Sequence, residues 1–390
     1  MAKINGTSDN DFLNGTTSND LIRGLAGDDI LFGNGGSDTL EGGTGDDFLD
    51  VSNSTGDSLL FGGADNDNLF ATNTLGDNTL YGGTGDDNLY VDFSAGNNLL
   101  FGGDGNDFLS ASTFLIALDF NGPKPSGNNT LIGGAGDDFL DVSNSTGDNL
   151  LFGGIGNDSL SAEFSSGNNT LNGGAGDDYL SVEYATGDNL LFGGIGNDSL
   201  SAEFSSGNNT LNGGAGKDTL RGGFAADVLF GDGGADTLIG NGGNDTLIGG
   251  AGDDILIGVD SSEEQPGQLE RDTLIGGAGR DTFVLGEPFK LYYDDSQIRF
   301  IIAPPPNEPP PSYALIADFE PGKDIIQLKG AIEYELEKVS LPNGVSGLGI
   351  FFDADRFDGN GSEQLIGIIQ SQQSLNNLQI SNGRAITTIT

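Results

Sequence analysis

Aspartate recurs in this chain at intervals that could do chemistry. From Asp11 it returns at Asp20, Asp29, Asp38 and Asp47, nine residues apart each time. Beyond Asp47 the interval becomes twenty, giving Asp67, Asp87 and Asp107, and later Asp138, Asp158, Asp178, Asp198 and Asp218. Carboxylates in such rows could hold hard cations, or work in pairs as acid and base on a glycosidic bond. The composition removes most other chemistries. The 390 residues include no Cys and no His, which excludes thiolate and imidazole metal sites, cysteine nucleophiles and the Ser-His-Asp mechanism. Against 59 Asp and Glu stand 14 Lys and Arg, a net charge of −45 that repels nucleic acid. No apolar run approaches the roughly 18 residues of a membrane span. The first residues, Met-Ala-Lys-Ile-Asn-Gly, lack the apolar centre of a cleaved leader, so none is expected.

The elements that must position these carboxylates follow from the same period. Gly6, Gly15, Gly24, Gly33 and Gly42 each open a unit with Asp at its sixth position and Leu13, Ile22, Leu31, Leu40 or Leu49 at its eighth. Six residues rich in Gly and Asp make a turn, because Gly tolerates the positive φ angles required. The following x-Leu-x makes a short strand with Leu on one face. Two units bring the chain round one coil, and stacked coils pair their strands in parallel about 4.8 Å apart. The twenty-residue block is a nine plus an eleven. Its two extra residues keep strand parity, so Leu49 and Val51 point inward while Phe48, Asp50 and Ser52 point outward. Nine-residue spacing resumes at Gly213, Gly222, Gly231, Gly240 and Gly249, and units at Gly267 and Gly276 close the array. Two sites interrupt it: about eleven inserted residues at 113–123, and an acidic nonamer, 258–266, without the motif.

Counting alternate units sorts the sixth positions onto two edges of the stack. The first edge is expected to carry Asp11, Asp29, Asp47, Asp67, Asp87, Asp107, Asp138, Asp158, Asp178, Asp198, Asp218, Asp236, Asp254 and Asp272. The second is expected to run Asp20, Asp38, Ser58, Asn78, Asn98, Asn129, Asn149, Asn169, Asn189, Asn209, Asp227, Asp245 and Asp281. Carboxylates about 5 Å apart cannot stack without counter-charge. Their hard oxygens, with turn carbonyls, suit Ca²⁺ better than the smaller Mg²⁺, and soft metals lack ligands here. In the middle of the second edge a neutral, hydrogen-bonded Asn ladder is expected instead, with Asp57, Asp77, Asp148 and Asp188 as weak ion candidates. Burying two aliphatic residues per coil does not offset the ordering of so many glycines. Metal binding is therefore expected to supply folding free energy.

Units such as Gly133-Gly-Ala-Gly-Asp-Asp-Phe-Leu-Asp141 and Gly249-Gly-Ala-Gly-Asp-Asp-Ile-Leu-Ile257 resemble the nonapeptide repeats of RTX, or haemolysin-type calcium-binding, proteins. The resemblance covers roughly residues 6–284. It implies a parallel β-roll with calcium between turns, held by sixth-position carboxylates and glycine-turn carbonyls. It also implies export of the unfolded chain through a type I secretion channel, directed by an uncleaved C-terminal signal, and folding outside the cell. Arg280–Leu285 and Leu315–Leu328 look like the segment that ends such arrays. The Asn-rich second edge departs from the family pattern, as does the absence of a catalytic or toxin module before the repeats.

The expected architecture is all-β: a parallel β-roll over 1–284 and a β-rich cap over 285–390, closing the solenoid's open end. The cap holds a proline run at 303–311 and strand-like stretches at 325–328, 334–339, 349–352 and 365–369. The acidic stretch 353–363 reads as a hairpin connection rather than a calcium loop, because strands flank it and its Gly falls one place late. Outward Leu59 and Phe61, Leu99 and Phe101, Leu150 and Phe152, and Leu190 and Phe192 read either as cross-strand stacking or as a surface for a polysaccharide, envelope or protein partner. The functional expectation is a secreted, extracellular, non-enzymatic calcium-binding protein. Adhesion through the outward Leu/Phe face is the alternative. A carboxylate-based polysaccharide enzyme is disfavoured because the cations a uronate substrate needs are few and scattered.

Overall fold

The computed structural model describes residues 1–112, 127–259, 270–287, 290–291, 313–329, 334–340, 346–353, 363–371, 375, 380–382 and 386–389. The insertion at 113–123 and the proline run at 303–311 lie outside these residues, as does the interior of 353–363. The architecture is all-β, with no helix among the described residues. Parallel strands stack coil on coil as a β-roll. The chain divides into two compact units, Met1–Ser206 and Gly207–Thr390.

In the first unit the first coil contributes the three-residue strands Lys3–Asn5 and Phe12–Asn14, and each later coil one six-residue and one three-residue strand. The longer strands, such as Thr39–Thr44 and Leu59–Ala64, run through the Gly-Gly pair; the shorter ones, such as Phe48–Asp50, carry the x-Leu-x triplet. Leu40, Leu60, Leu80, Leu100, Leu131, Leu151, Leu171 and Leu191 stand in register on one sheet. Leu31, Leu49, Leu69, Leu89, Leu109, Leu140, Leu160, Leu180 and Leu200 stand in register on the other. These ladders face each other and exclude solvent, and burial of the aliphatic rows supplies the apolar part of the stability. Val51, Ala71, Val91, Ala111, Val142 and Ala162 are buried as well. Phe48, Asp50 and Ser52 are half-exposed, so the eleven-residue half keeps its inward parity. The pairing of Leu100 with Leu131 shows that the inserted residues leave the register unchanged. The turns close on glycines held at positive φ, such as Gly43 at +129° and Gly45 at +111°.

In the second unit the inward rows are Leu211, Leu229, Leu247, Leu274 and Ile316, and Leu220, Leu238, Leu256, Phe283 and Ile326. Parallel pairing therefore runs past residue 284 through Tyr313–Ile316 and Ile325–Lys329. Beyond it the pairing turns antiparallel: Glu363–Ile369 against Ser346–Asp353, that strand against Tyr334–Ser340, and Ile325–Lys329 against Ile386–Ile389. Asp353 pairs with Glu363, as a hairpin between those strands requires. Phe283 packs 6.4 Å from Phe319, both fully buried.

Candidate metal centre

The sixth-position side chains are held by the stack itself. In the first unit the backbone N–H of Asp11 donates to Oδ1 of Asp29, and so on through Asp47, Asp67, Asp87, Asp107, Asp138, Asp158, Asp178 and Asp198, at 2.7–2.9 Å. In the second unit the same row runs Asp218, Asp236, Asp254, Asp281 and Asp324, at 2.8–3.2 Å. Each carboxylate thus commits one oxygen to the preceding coil.

The other oxygen is the chemical signal. Oδ2 of Asp29, Asp47, Asp67, Asp87, Asp107, Asp138, Asp158, Asp178, Asp236, Asp254 and Asp281 is buried and accepts no hydrogen bond. On the opposite edge the same holds for Asp38 and Asp245. Each of these oxygens turns toward the glycine that opens its unit. A Cβ on Gly42 would overlap Oδ2 of Asp47 and lie 2.7 Å from the Gly62 carbonyl oxygen; Gly82 stands the same way to Asp87 and the Gly102 carbonyl. Buried anionic oxygens and carbonyl dipoles share these cradles, and an isolated buried carboxylate is costly. Among the described residues no three acidic side chains converge, so backbone carbonyls must complete any coordination shell. Ca²⁺ accepts such mixed oxygen sets, and the donor chemistry fits it.

Burial penalises the charged form and raises these acids. It is opposed by the N–H of the preceding coil and reinforced by neighbouring carboxylates. Asp38, Asp47, Asp87, Asp158 and Asp281 are pushed up to about 6. Asp107, Asp138, Asp178 and Asp236 rise to about 7, and Asp67 to about 8. Asp245 is raised by burial and then by Asp272 beside it. Asp20 goes the other way, lowered by hydrogen bonds from Ala2 N–H and from the Thr16 N–H and hydroxyl.

The second edge replaces the carboxylate with an amide. From Asp38 the row passes through Ser58 to Asn78, Asn98, Asn129, Asn149, Asn169 and Asn189. Nδ2 of Asn149 donates to Oδ1 of Asn169 at 2.8 Å, to the Gly147 carbonyl at 2.9 Å and to Ser145 Oγ at 2.7 Å. Asn78, Asn98 and Asn169 repeat the amide-to-amide and amide-to-glycine contacts. The amide nitrogen therefore satisfies a turn carbonyl from within, and the expected neutral ladder is present.

Two of the expected assignments change places. Asp281 continues the first row, receiving Asp254 N–H, and Asp272 continues the second, receiving Asp245 N–H. Both steps span 27 residues, nine more than the steps before them, so the alternate-unit count is one unit too many between Asp254 and Asp272. The eighth position of nonamer 258–266 is Gln265, which cannot fill an aliphatic core row, and Pro266 cannot donate to a ladder. Four of the candidate ligands hold other partners: Asp11 accepts from Thr7, Asp20 from Ala2 and Thr16, Asp227 from Asn209 and Gly223, and Asp272 from Asp245. Two positions of the stack lie beyond the expected set. Asp324 ends the first row, its other oxygen accepting from Glu320 N–H, and Asp318 accepts the Gly276 and Gly277 N–H groups at 3.0 and 2.8 Å. The surviving signal at Asp324 is an Asp two places before the inward Ile326, without the opening glycine.

A family model of the RTX calcium-binding nonapeptide repeat matches residues 5–40, 32–53, 54–73, 74–93, 94–113, 126–144, 145–164, 165–182, 185–204, 205–238, 230–259 and 267–287. The chain belongs to the RTX calcium-binding repeat family. These RTX repeats hold the unpartnered carboxylate oxygens described above, and they make the chain a calcium-binding repeat protein. No curated protein sequence shows a significant match to it. No described helix is long and apolar enough to cross a membrane.

Proposed function

We infer that this RTX chain is a secreted, non-enzymatic protein whose folding into the β-roll is gated by extracellular calcium. The row of buried Oδ2 atoms without hydrogen-bond partners supports this reading. Calcium, when bound, supplies the positive charge and coordination these oxygens lack. Asp29, Asp47, Asp67, Asp87, Asp107, Asp138, Asp158, Asp178, Asp236, Asp254 and Asp281, with the glycine carbonyls facing them, are the residues that would hold it on the first edge; Asp38 and Asp245 would do so at the ends of the second. Asn78–Asn189 need no ion, because each amide donates to its own turn. Without calcium, the acidic edge must either stack buried anions or take up protons, and once the protons are released the unfolded chain is favoured. Such a gate suits export through a type I channel in unfolded form, into a compartment where calcium is plentiful.

Far-ultraviolet circular dichroism and calorimetry of the full chain, with calcium and with chelator, test the gate. Calcium is expected to raise β-structure and the unfolding temperature; a chain equally folded and equally stable in chelator would refute it. Counting ions in a calcium-loaded crystal should place most on the acidic edge and no more than two or three beside Asn78–Asn189. Turnover of any glycan in a broad panel would remove the non-enzymatic part of the reading.

Adhesion through the outward Leu/Phe face is the second reading. It draws on Leu150, Phe152, Leu190 and Phe192, each more than a third exposed. Further along the same sheet Phe61, Tyr81 and Phe101 stack on one another at 4.8–5.1 Å, so those ring faces are already covered.

A further inference from the structure

The outward side of the six-residue sheet alternates strand by strand. Leu59–Ala64, Leu99–Asp104, Leu150–Ile155 and Leu190–Ile195 present Leu and Phe outward. Between them Thr79–Thr84, Thr130–Ala135 and Thr170–Ala175 present Thr with Tyr81, Ile132 or Asn172. The contrast is sharpest where Thr170 and Asn172 separate two protruding bands. There Ile155 and Ile195, each 67% exposed, extend Leu150/Phe152 and Leu190/Phe192. All seven strands are paired in one parallel register within the first unit. Asp104 is their only charged side chain, in a chain of net charge −45.

We propose that this face is the docking surface for a second copy of the same chain, packed sheet to sheet with the Leu/Phe bands of each copy seated in the Thr bands of the other. Three observations select that occupant. First, the bands recur every second strand, a period of about 9.6 Å. A two-fold axis along the strands, midway between adjacent ones, sets each Leu/Phe strand over a Thr strand, with the deepest fit at Thr170 and Asn172, and an isologous contact needs that self-complementarity. Second, two copies this acidic repel one another except through a face almost free of charge. Third, about that axis six of the seven strands overlap, roughly 29 by 20 Å, or about 1,150 Å² over both copies. That clears the roughly 1,000 Å² expected of a biological interface, at the lower end of its range. The proposal rests on the folded roll, and hence on calcium where calcium is required to fold it.

Sedimentation velocity of the full chain in calcium, over a concentration series, tests it. A monomer–dimer equilibrium is expected, tighter at higher salt as the like charges are screened. Two variants probe the fit: Phe152→Ser with Phe192→Ser removes the ridges, and Asn172→Phe fills a groove. Both are expected to raise the dimer dissociation constant at least about tenfold, with unchanged circular dichroism. If the ridge variant fails to fold, the groove variant decides. A merely sticky apolar patch would instead bind more tightly with Asn172→Phe, and that result overturns the proposal. So does a monomer at every concentration, a dimer indifferent to both variants, or a monomer that co-sediments with an insoluble neutral glucan. The calcium response of the unaltered chain is read in the same samples. A chain that folds and dimerises without calcium would sink the gate and leave the dimer standing.

Discussion

An aspartate and an asparagine at the sixth position of a turn differ by an oxygen against an amide nitrogen, and the two edges put that difference to opposite uses. On the acidic edge Oδ2 is a buried acceptor among acceptors. On the other edge the nitrogen donates to a carbonyl, a hydroxyl and the next amide. Exchanging the two should exchange their dependence on calcium. Asn149→Asp removes both donors of the amide, which three acceptors share, and buries a charge. In chelator it is expected to cost about 2–4 kcal/mol, part of it regained with calcium. Asp107→Asn should do the reverse, raising calcium-free stability by about 1–2 kcal/mol and lowering the number of bound ions. Urea denaturation in chelator and in calcium measures both; an Asn149→Asp chain as stable as the parent in chelator would contradict the assignment. The raised acids also set a pH dependence. Metal-free and folded, Asp47, Asp67, Asp107 and their neighbours hold protons up to about pH 6–8, whereas an ordinary Asp near 3.8 has released them. The folded state therefore binds more protons through that window, and stability falls as pH rises from about 4 to about 8. Circular dichroism in chelator should show most β-structure at the acid end. With calcium present the trend reverses, because protons compete for Oδ2 and calcium affinity drops below about pH 6.

At the scale of the coil, period and parity were legible because each nine-residue unit carries its own turn glycines, its carboxylate and its inward aliphatic. Leu31, Leu49, Leu69 and the rows after them stand where that period puts them. What it could not show is whether a unit-length segment enters the stack. The nonamer 258–266 has the length of half a coil but no aliphatic at its eighth place, so counting it moved Asp272 and Asp281 to the wrong edges. The aromatic row on the three-residue sheet was also missed. Phe12, Phe32, Phe48, Phe70, Tyr90, Phe108 and Phe139 pack in succession at 4.9–5.9 Å, alternating irregularly between two outward positions. No fixed interval marks such a row; only the strand register brings it together. The nonamer's redundancy has a direct test. Replacing 258–270 with Gly-Gly-Ala-Gly makes the chain nine residues shorter and recreates before Asp272 the turn that precedes Asp281. Folding should survive, with stability unchanged or raised by up to about 1 kcal/mol, because the shorter connection costs less closure entropy. Loss of the β-sheet signal would show that the segment is part of a coil.

For the molecule as a whole, the −45 charge measures how much cation the folded state has to recruit. Much of that charge stands in ordered rows, where protons or calcium can neutralise it, and self-repulsion opposes compaction when neither is bound. The rows also have a direction. In each of them a backbone N–H of one coil donates to a side chain of the coil that follows it in sequence, from Asp11 to Asp29 at the amino end and from Asp281 to Asp324 at the carboxyl end. The fifth positions run the other way: Asp28 N–H donates to Oδ1 of Asn10, Asp46 N–H to Asp28 and Asn66 N–H to Asp46, so a coil is completed from both sides. A coil lost from the amino end strips the Asn10 acceptor from Asp28 N–H, and loss of the segment holding Asp318 and Asp324 strips acceptors from Asp281, Gly276 and Gly277. Within each unit a coil is thus clasped from both sides, its sixth positions reached from the coil before it in sequence and its fifth positions from the coil after it, so an end coil of either unit keeps only half of its clasps.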